Sequence, residues 1–184
     1  MLAQPVKRRF TVEEFHRMGE AGIFHEDDRV ELINGQIVQL SPIGRPHAYA
    51  VTMLNNMLAS RLAGRALVSP QNPVHLFRDS EPLPDIVLLR LRSDYKEVDV
   101  GPADVLLLVE VADSSLRYDR LVKLRLYARA GIPEVWIVDV AGGRVEVYRR
   151  PAERRYEQAE RVERGGRVSP AVFPDVAIAV DEIL

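Results

Sequence analysis

Two acids sit where the sequence otherwise spells buried strand. Asp85 opens DIVLLR, directly after Pro84, and Glu110 is the single polar residue of VLLLVEV. Consecutive strands often pair as neighbours. In an antiparallel pairing of these two, one register sets Arg90 opposite Val105 and Asp85 opposite Glu110. Both carboxyls then lie on one face at one end of the sheet, their Cβ atoms about 4.5–5.5 Å apart. Carboxylates that close on buried strands repel and are poorly solvated, so one takes up a proton unless a cation stands between them. Hard oxygen ligands of this kind suit Mg²⁺, with water and phosphate oxygens filling the remaining positions. The plain alternative is that Asp85 satisfies backbone N–H groups at a strand entrance and Glu110 pairs with an arginine.

A lysine stands within reach. Ser114–Ala130 reads as the helix that follows Glu110, with Gly131 and Pro133 as stop signals. At 100° per residue Lys123 lies roughly 120–160° from Arg125 and Arg129, on the side shared by Asp119 and Tyr127. Lys123 is therefore expected to face the sheet, near the end of the strand that carries Glu110. Ligands in α/β sheets gather at such carboxyl ends. An ammonium there could orient an attacking water or stabilise a pentavalent phosphate. The alternative is a helical Asp119–Lys123 ion pair, worth a few tenths of a kcal/mol. Glu31, in VELI, points outward if Val30 and Leu32 point inward, or else supplies a third carboxylate. His47 either caps a helix or serves as a base or substrate contact.

Other chemistries lack their residues. With no cysteine there is no disulfide, thiolate metal site or Cys nucleophile. His16, His25 and His75 have no zinc-ligand spacing. No phosphate-binding P-loop, GxGxxG, GxSxG or HExxH is present. Ser114 and Ser115 have no histidine placed to activate them and are expected to cap the helix.

The elements that must position these groups form a mixed pattern. Thr11-x-x-Glu14 is a capping box opening a helix of about 10 residues that stops near Gly22. Arg29–Leu40 reads as a hairpin turning at Asn34-Gly35. Apolar residues at Val51, Leu54, Leu58 and Leu62 mark a helix over 47–62. Short strands are expected at Ala66–Ser69 and Val74–Phe77. Val105–Val140 is a βαβ unit whose two strands should be parallel, and Gly142-Gly143 turns Val135–Val140 into Arg144–Arg149. The fold class is α/β, with a mixed β-sheet and helices on both faces.

At 184 residues one domain is expected over 1–184, a core at about 10–148 and a C-terminal β-hairpin and tail at 144–184. The net charge of −2 does not suit a dedicated nucleic-acid coat protein, which would be strongly basic. It leaves room for a nuclease with acids at its centre and bases at its rim. The bases are 22 Arg and three Lys, and residues 144–167 hold eight Arg against five Glu. That stretch is either a phosphate-facing rim or a solvated hairpin. No apolar run reaches the roughly 18–20 residues that cross a bilayer, and MLAQPVKRRF lacks the apolar core of a signal peptide. The expectation is a cytoplasmic protein without a membrane partner.

Pro84-Asp85, Glu110 in LLLVEVADSS, Asp119-x-x-x-Lys123-x-x-x-Tyr127, GIPEVWIVD, and VELINGQIVQLSP followed by His47 together resemble the Uma-two family of restriction endonucleases, in the PD-(D/E)XK nuclease superfamily. The match spans roughly Phe10 to Tyr148. The resemblance implies a restriction-endonuclease-like core and Mg²⁺-dependent hydrolysis of DNA, with Mn²⁺ able to substitute. It makes Asp85 and Glu110 the two superfamily acids and Glu31 the additional upstream acid; the mechanism expected from the residues and the resemblance together has Asp85, Glu110 and a backbone carbonyl near Val111 on the metal. The lysine usual two residues after the second acid is replaced by Ala112, and the helical Lys123 matches the position from which this branch supplies it. His47 and Tyr127 are carried as substrate contacts, and a homodimer is a further expectation. The alternative function is a catalytically weak or inactive module of the same fold that binds DNA or a protein partner.

Overall fold

The computed structural model describes residues 6–25 and 27–184. Its centre is a six-stranded mixed sheet of order β3-β4-β5-β6-β7-β8. These strands are β3 (Leu67–Pro70), β4 (Ile86–Leu89), β5 (Val105–Ala112), β6 (Glu134–Asp139), β7 (Arg144–Ala152) and β8 (Arg155–Glu163). Only β5 and β6 run parallel, joined by the helical crossover, as the βαβ reading requires. All eight residues of β5 and all six of β6 are buried. This is the signature of strands covered on both faces.

Side chains alternate between two cores. Ile86, Leu88, Leu107, Val109, Val111, Trp136 and Val138 pack under α2 (Arg45–Arg61), α5 (Val180–Ile183) and the short β9–β10 pair (Arg167–Val168, Ile178–Ala179). Val87, Leu89, Leu108, Val135 and Ile137 pack on the opposite face against Leu126, Tyr127 and Ile132. Ile33, from the β1–β2 hairpin (Val30–Ile33, Gln36–Gln39), joins this second core. The hairpin turn has Asn34 and Gly35 at φ 49° and 74°, the left-handed pair a two-residue type I′ turn demands. Helix α1 (Val12–Glu20) carries the expected capping box between Thr11 and Glu14.

Two expectations need correction. Arg90 does not pair with Val105: a bulge between Leu88 and Leu89 moves Leu89 opposite Val105. The extra residue sits in β5, where Leu106 and Leu107 both enter the first core. The shift lies at the strand end away from the acids. Val74–Phe77 forms no strand; it contributes an isolated bridge from Phe77 to Ser80, with Val74 and Leu76 buried and Phe77 half-buried beside a tight turn. The arginine-rich stretch of 144–167 is a hairpin with a solvated outer strand, in which Arg144, Arg149 and Arg161 reach Asp139, Glu134 and Glu146 at 2.8, 2.8 and 3.2 Å.

A candidate acidic cleft with a buried lysine

The register that matters is kept. Ile86 pairs with Val109, so one further step sets Asp85 opposite Glu110. Strand β4 stops there while β5 runs on to Ala112, which leaves the Val111 N–H without a backbone partner on that side. Asp85 takes it, accepting at 2.8 Å through Oδ2. The N–H and C=O of one strand residue leave on the same side, so the Val111 carbonyl also points past the end of β4. His47, in the first turn of α2, places Nε2 3.1 Å from both oxygens of Asp85 and leaves Nδ1 buried without a partner. The helix starts two residues earlier than the apolar pattern suggested, with Gly44 as N-cap and Pro46 in the first turn.

The crossover after β5 is not a plain α-helix. It runs as α3 (Leu116–Tyr118), a π turn over Asp119–Lys123, and α4 (Leu124–Arg129). Asp119, Lys123 and Tyr127 are all buried, as the helical projection required. The expected alternative of an Asp119–Lys123 ion pair is absent among the described residues. Lys123 Nζ instead lies 3.0 Å from Glu31 Oε2 and 3.1 Å from Glu110 Oε1. Tyr127 donates its hydroxyl to the same Glu110 oxygen. Ser115 does not cap the helix with its side chain; its hydroxyl donates to Asp119 Oδ2 at 2.6 Å.

Glu31 turns inward despite its neighbours. It is 0% exposed, as is Leu32, because β1 is covered on both faces. Its Oε2 accepts from the Leu83 N–H at 3.1 Å, and its Oε1 is buried without a partner. The structure thus brings Glu31, Asp85, Glu110 and Lys123 together, with His47 on Asp85. Tyr127 stands behind Glu110, fully buried, rather than on a surface that a substrate meets.

Of these groups, His47, Asp85, Glu110 and Lys123 open onto a cleft of about 100 Å³ between the Leu40–Gly44 loop and the start of the crossover. Sequence reasoning missed part of its wall: Arg29, Asp113 and Tyr118 also line it. The loop passes close to the crossover at Gly44, where a Cβ would stand 2.9 Å from a carboxyl oxygen of the exposed Asp113. The Tyr118 hydroxyl is buried without any hydrogen-bond partner. Tyr118 precedes Lys123 by five residues, a spacing that shares a face in a π turn but not in an α-helix. An α-helical projection therefore could not find it.

The electrostatics are lopsided: four buried carboxyls, Glu31, Asp85, Glu110 and Asp119, surround one ammonium. Burial holds the Glu110 carboxyl well above the usual carboxylate range; Lys123 only partly offsets this, and Asp119, Asp85 and Glu31 add to it. Burial likewise pushes Asp119 up to about 6, against the pull of Lys123 and the Ser115 hydroxyl. For Lys123, burial works against the charge, but the carboxylates of Glu110, Glu31 and Asp119 outweigh it and keep the ammonium protonated. The Tyr118 phenol is pushed up to about 12 by burial first and by Glu31 second.

Among the described residues, no three His, Asp or Glu side chains converge in metal-binding geometry, and no helix is long and apolar enough to cross a membrane. No curated protein matches the chain. A solved structure from Anabaena variabilis ATCC 29413, described as a "putative nuclease belonging to DUF820", shares the fold. It is 17% identical with a TM-score of 0.74, over 95% of this chain and 97% of that one. A family model described as Uma2, "Putative restriction endonuclease", matches residues 12–181, and the chain belongs to that family.

Proposed function

We propose that the cleft hydrolyses phosphodiester bonds of DNA with a divalent cation, Mg²⁺ or in its place Mn²⁺. The observation that carries this reading is the arrangement around Lys123: one ammonium held between Glu31 and Glu110, with Asp85 at the facing strand end. The donor set fits a hard cation. Carboxyls outnumber cationic groups, and Glu110 Oε2 receives no hydrogen bond from the described residues. Asp85, Glu110 and the Val111 carbonyl would hold the ion, and with so few protein ligands water and a substrate phosphate complete the shell, as Mg²⁺ sites prefer. A bound ion would supply polarisation of the scissile phosphate and a water of lowered pKa.

The remaining steps belong to the chain. Lys123 has three N–H donors; two go to Glu31 and Glu110, and the third is left for a water or a phosphate oxygen in the cleft. As a protonated group it orients the attacking water and offsets charge on the pentavalent phosphate, rather than abstracting a proton. Glu31 and Tyr127 fix the positions of Lys123 and Glu110. His47 and the Val111 N–H fix Asp85. Incubation of DNA with the protein and Mg²⁺ or Mn²⁺ tests the proposal. Wild type is expected to cut, Asp85→Ala to lose at least about 100-fold, in line with removal of a charge-stabilising group. Equal cleavage by both proteins would overturn the assignment. Metal binding without cleavage of any DNA form would favour the non-catalytic module.

A further inference from the structure

The two edges of the central sheet differ in how they are protected. Strand β3 is four residues long and ends in Pro70, which cannot donate to a ladder. Strand β8 is nine residues long, has no proline, and is exposed at every position except Tyr156 and Val162. Its register against β7 shows which of its amides are free. The Val140 N–H donates to Ala112 O, so Trp136 and Val138 turn their amides to β5. Val135, Ile137 and Asp139 then bond Tyr148, Glu146 and Arg144, and Val145, Val147 and Arg149 are left for β8. Their partners there are Val162, Glu160 and Gln158. By alternation, Glu157, Ala159 and Arg161 aim their N–H and C=O groups away from the sheet, while the Glu163 carbonyl already accepts from the Gly166 N–H at 3.0 Å. Such a row is a template for another strand unless something blocks it.

We propose that β8 pairs antiparallel with β8 of a second copy of this chain, about a two-fold axis through Ala159, making one continuous twelve-stranded sheet. The charges select this register. With Ala159 opposite Ala159, Glu157 faces Arg161 of the second copy, Arg155 faces Glu163, and both pairings occur twice by symmetry. Gln158 faces Glu160 without like-charge conflict. A shift by two in pairing sum in one direction sets Arg155 against Arg161. A shift in the other sets Glu160 against Glu160 and Glu157 against Glu163. Like charges directly opposite are destabilising, and opposite charges favourable. Glu157 makes no ion pair among the described residues, so it is free to take a partner from outside.

Sedimentation equilibrium or light scattering on the full chain tests this. Wild type is expected at twice the 20.8 kDa chain mass. Ala159→Pro removes an outward N–H and not a β7 bond, so it should give a monomer that melts as a folded protein. Glu157→Arg and Arg161→Glu, each alone, set like charges opposite one another and should be monomers. Mixed one to one, they should form a dimer, because each then offers the complement of the other. Should Arg161→Glu fail to fold for want of its contact with Glu146, the Ala159→Pro and Glu157→Arg variants still decide. A wild-type monomer at tens of micromolar, or a dimer that survives both of those variants, overturns the proposal.

Discussion

Asp119 and Tyr118 are the residues whose behaviour separates a working site from a merely buried cluster. Asp119 titrates near 6 when folded and near 3.8 when unfolded. A raised carboxyl binds its proton more tightly in the native state, so its contribution is fully present below about pH 4 and is lost as pH rises through about 6. In metal-free buffer Asp119→Asn is therefore expected to be more stable than wild type at pH 8, by about 1–3 kcal/mol, and to show no such gain at pH 4. Urea unfolding at the two pH values reads this directly. Tyr118 makes the opposite point. Its hydroxyl has no partner, so Tyr118→Phe should leave the melting temperature unchanged or slightly higher. If the hydroxyl meets substrate in the cleft, cleavage should fall about tenfold, the worth of one hydrogen bond near 1.4 kcal/mol. An unchanged rate would remove Tyr118 from the site.

At the scale of elements, the π turn forms part of the cleft wall. It adds one residue to a helical turn, so Tyr118, five residues before Lys123, reaches the same opening as Asp119 and Lys123. Leu121 lies within it and is half exposed, and so contributes little to either core. Deleting Leu121 is expected to convert the turn to regular α-helix, in which Tyr118 and Asp119 stand four and three residues before the lysine and still share its face. Cleavage and the far-ultraviolet helical signal should both survive. Lost cleavage with the helical signal retained would show that the extra residue itself sets the cleft's shape. Much of the positioning was legible beforehand. Asp85 and Glu110 fell opposite each other because both strands are apolar on both faces and only one register pairs the polar residues. Lys123 fell inward because its helix has a clear arginine side. Glu31 was ambiguous because period-two alternation assumes one wet face, whereas β1 has none. The failed strand at Val74–Phe77 had the right composition, but tertiary context put a turn there.

For the whole molecule, the sheet makes the site by ending early. Strand β4 stops at Ile86 and β5 continues past it, and the gap between them exposes the backbone of Val111 to Asp85. The β1–β2 hairpin and the Leu40–Gly44 loop close over that gap from one core face, and α2 brings His47 from the other. The Uma2 relationship and the shared fold agree with this architecture. A divalent ion that binds only the native state also stabilises it, by about 2.7 kcal/mol at 100 times its Kd. Location is more telling than affinity. The decisive measurement is anomalous scattering from crystals grown with Mn²⁺. The account predicts a peak between the carboxyl oxygens of Asp85 and Glu110 and beside the Val111 carbonyl; a protein that binds Mn²⁺ only elsewhere, leaving that gap without a peak, would contradict it.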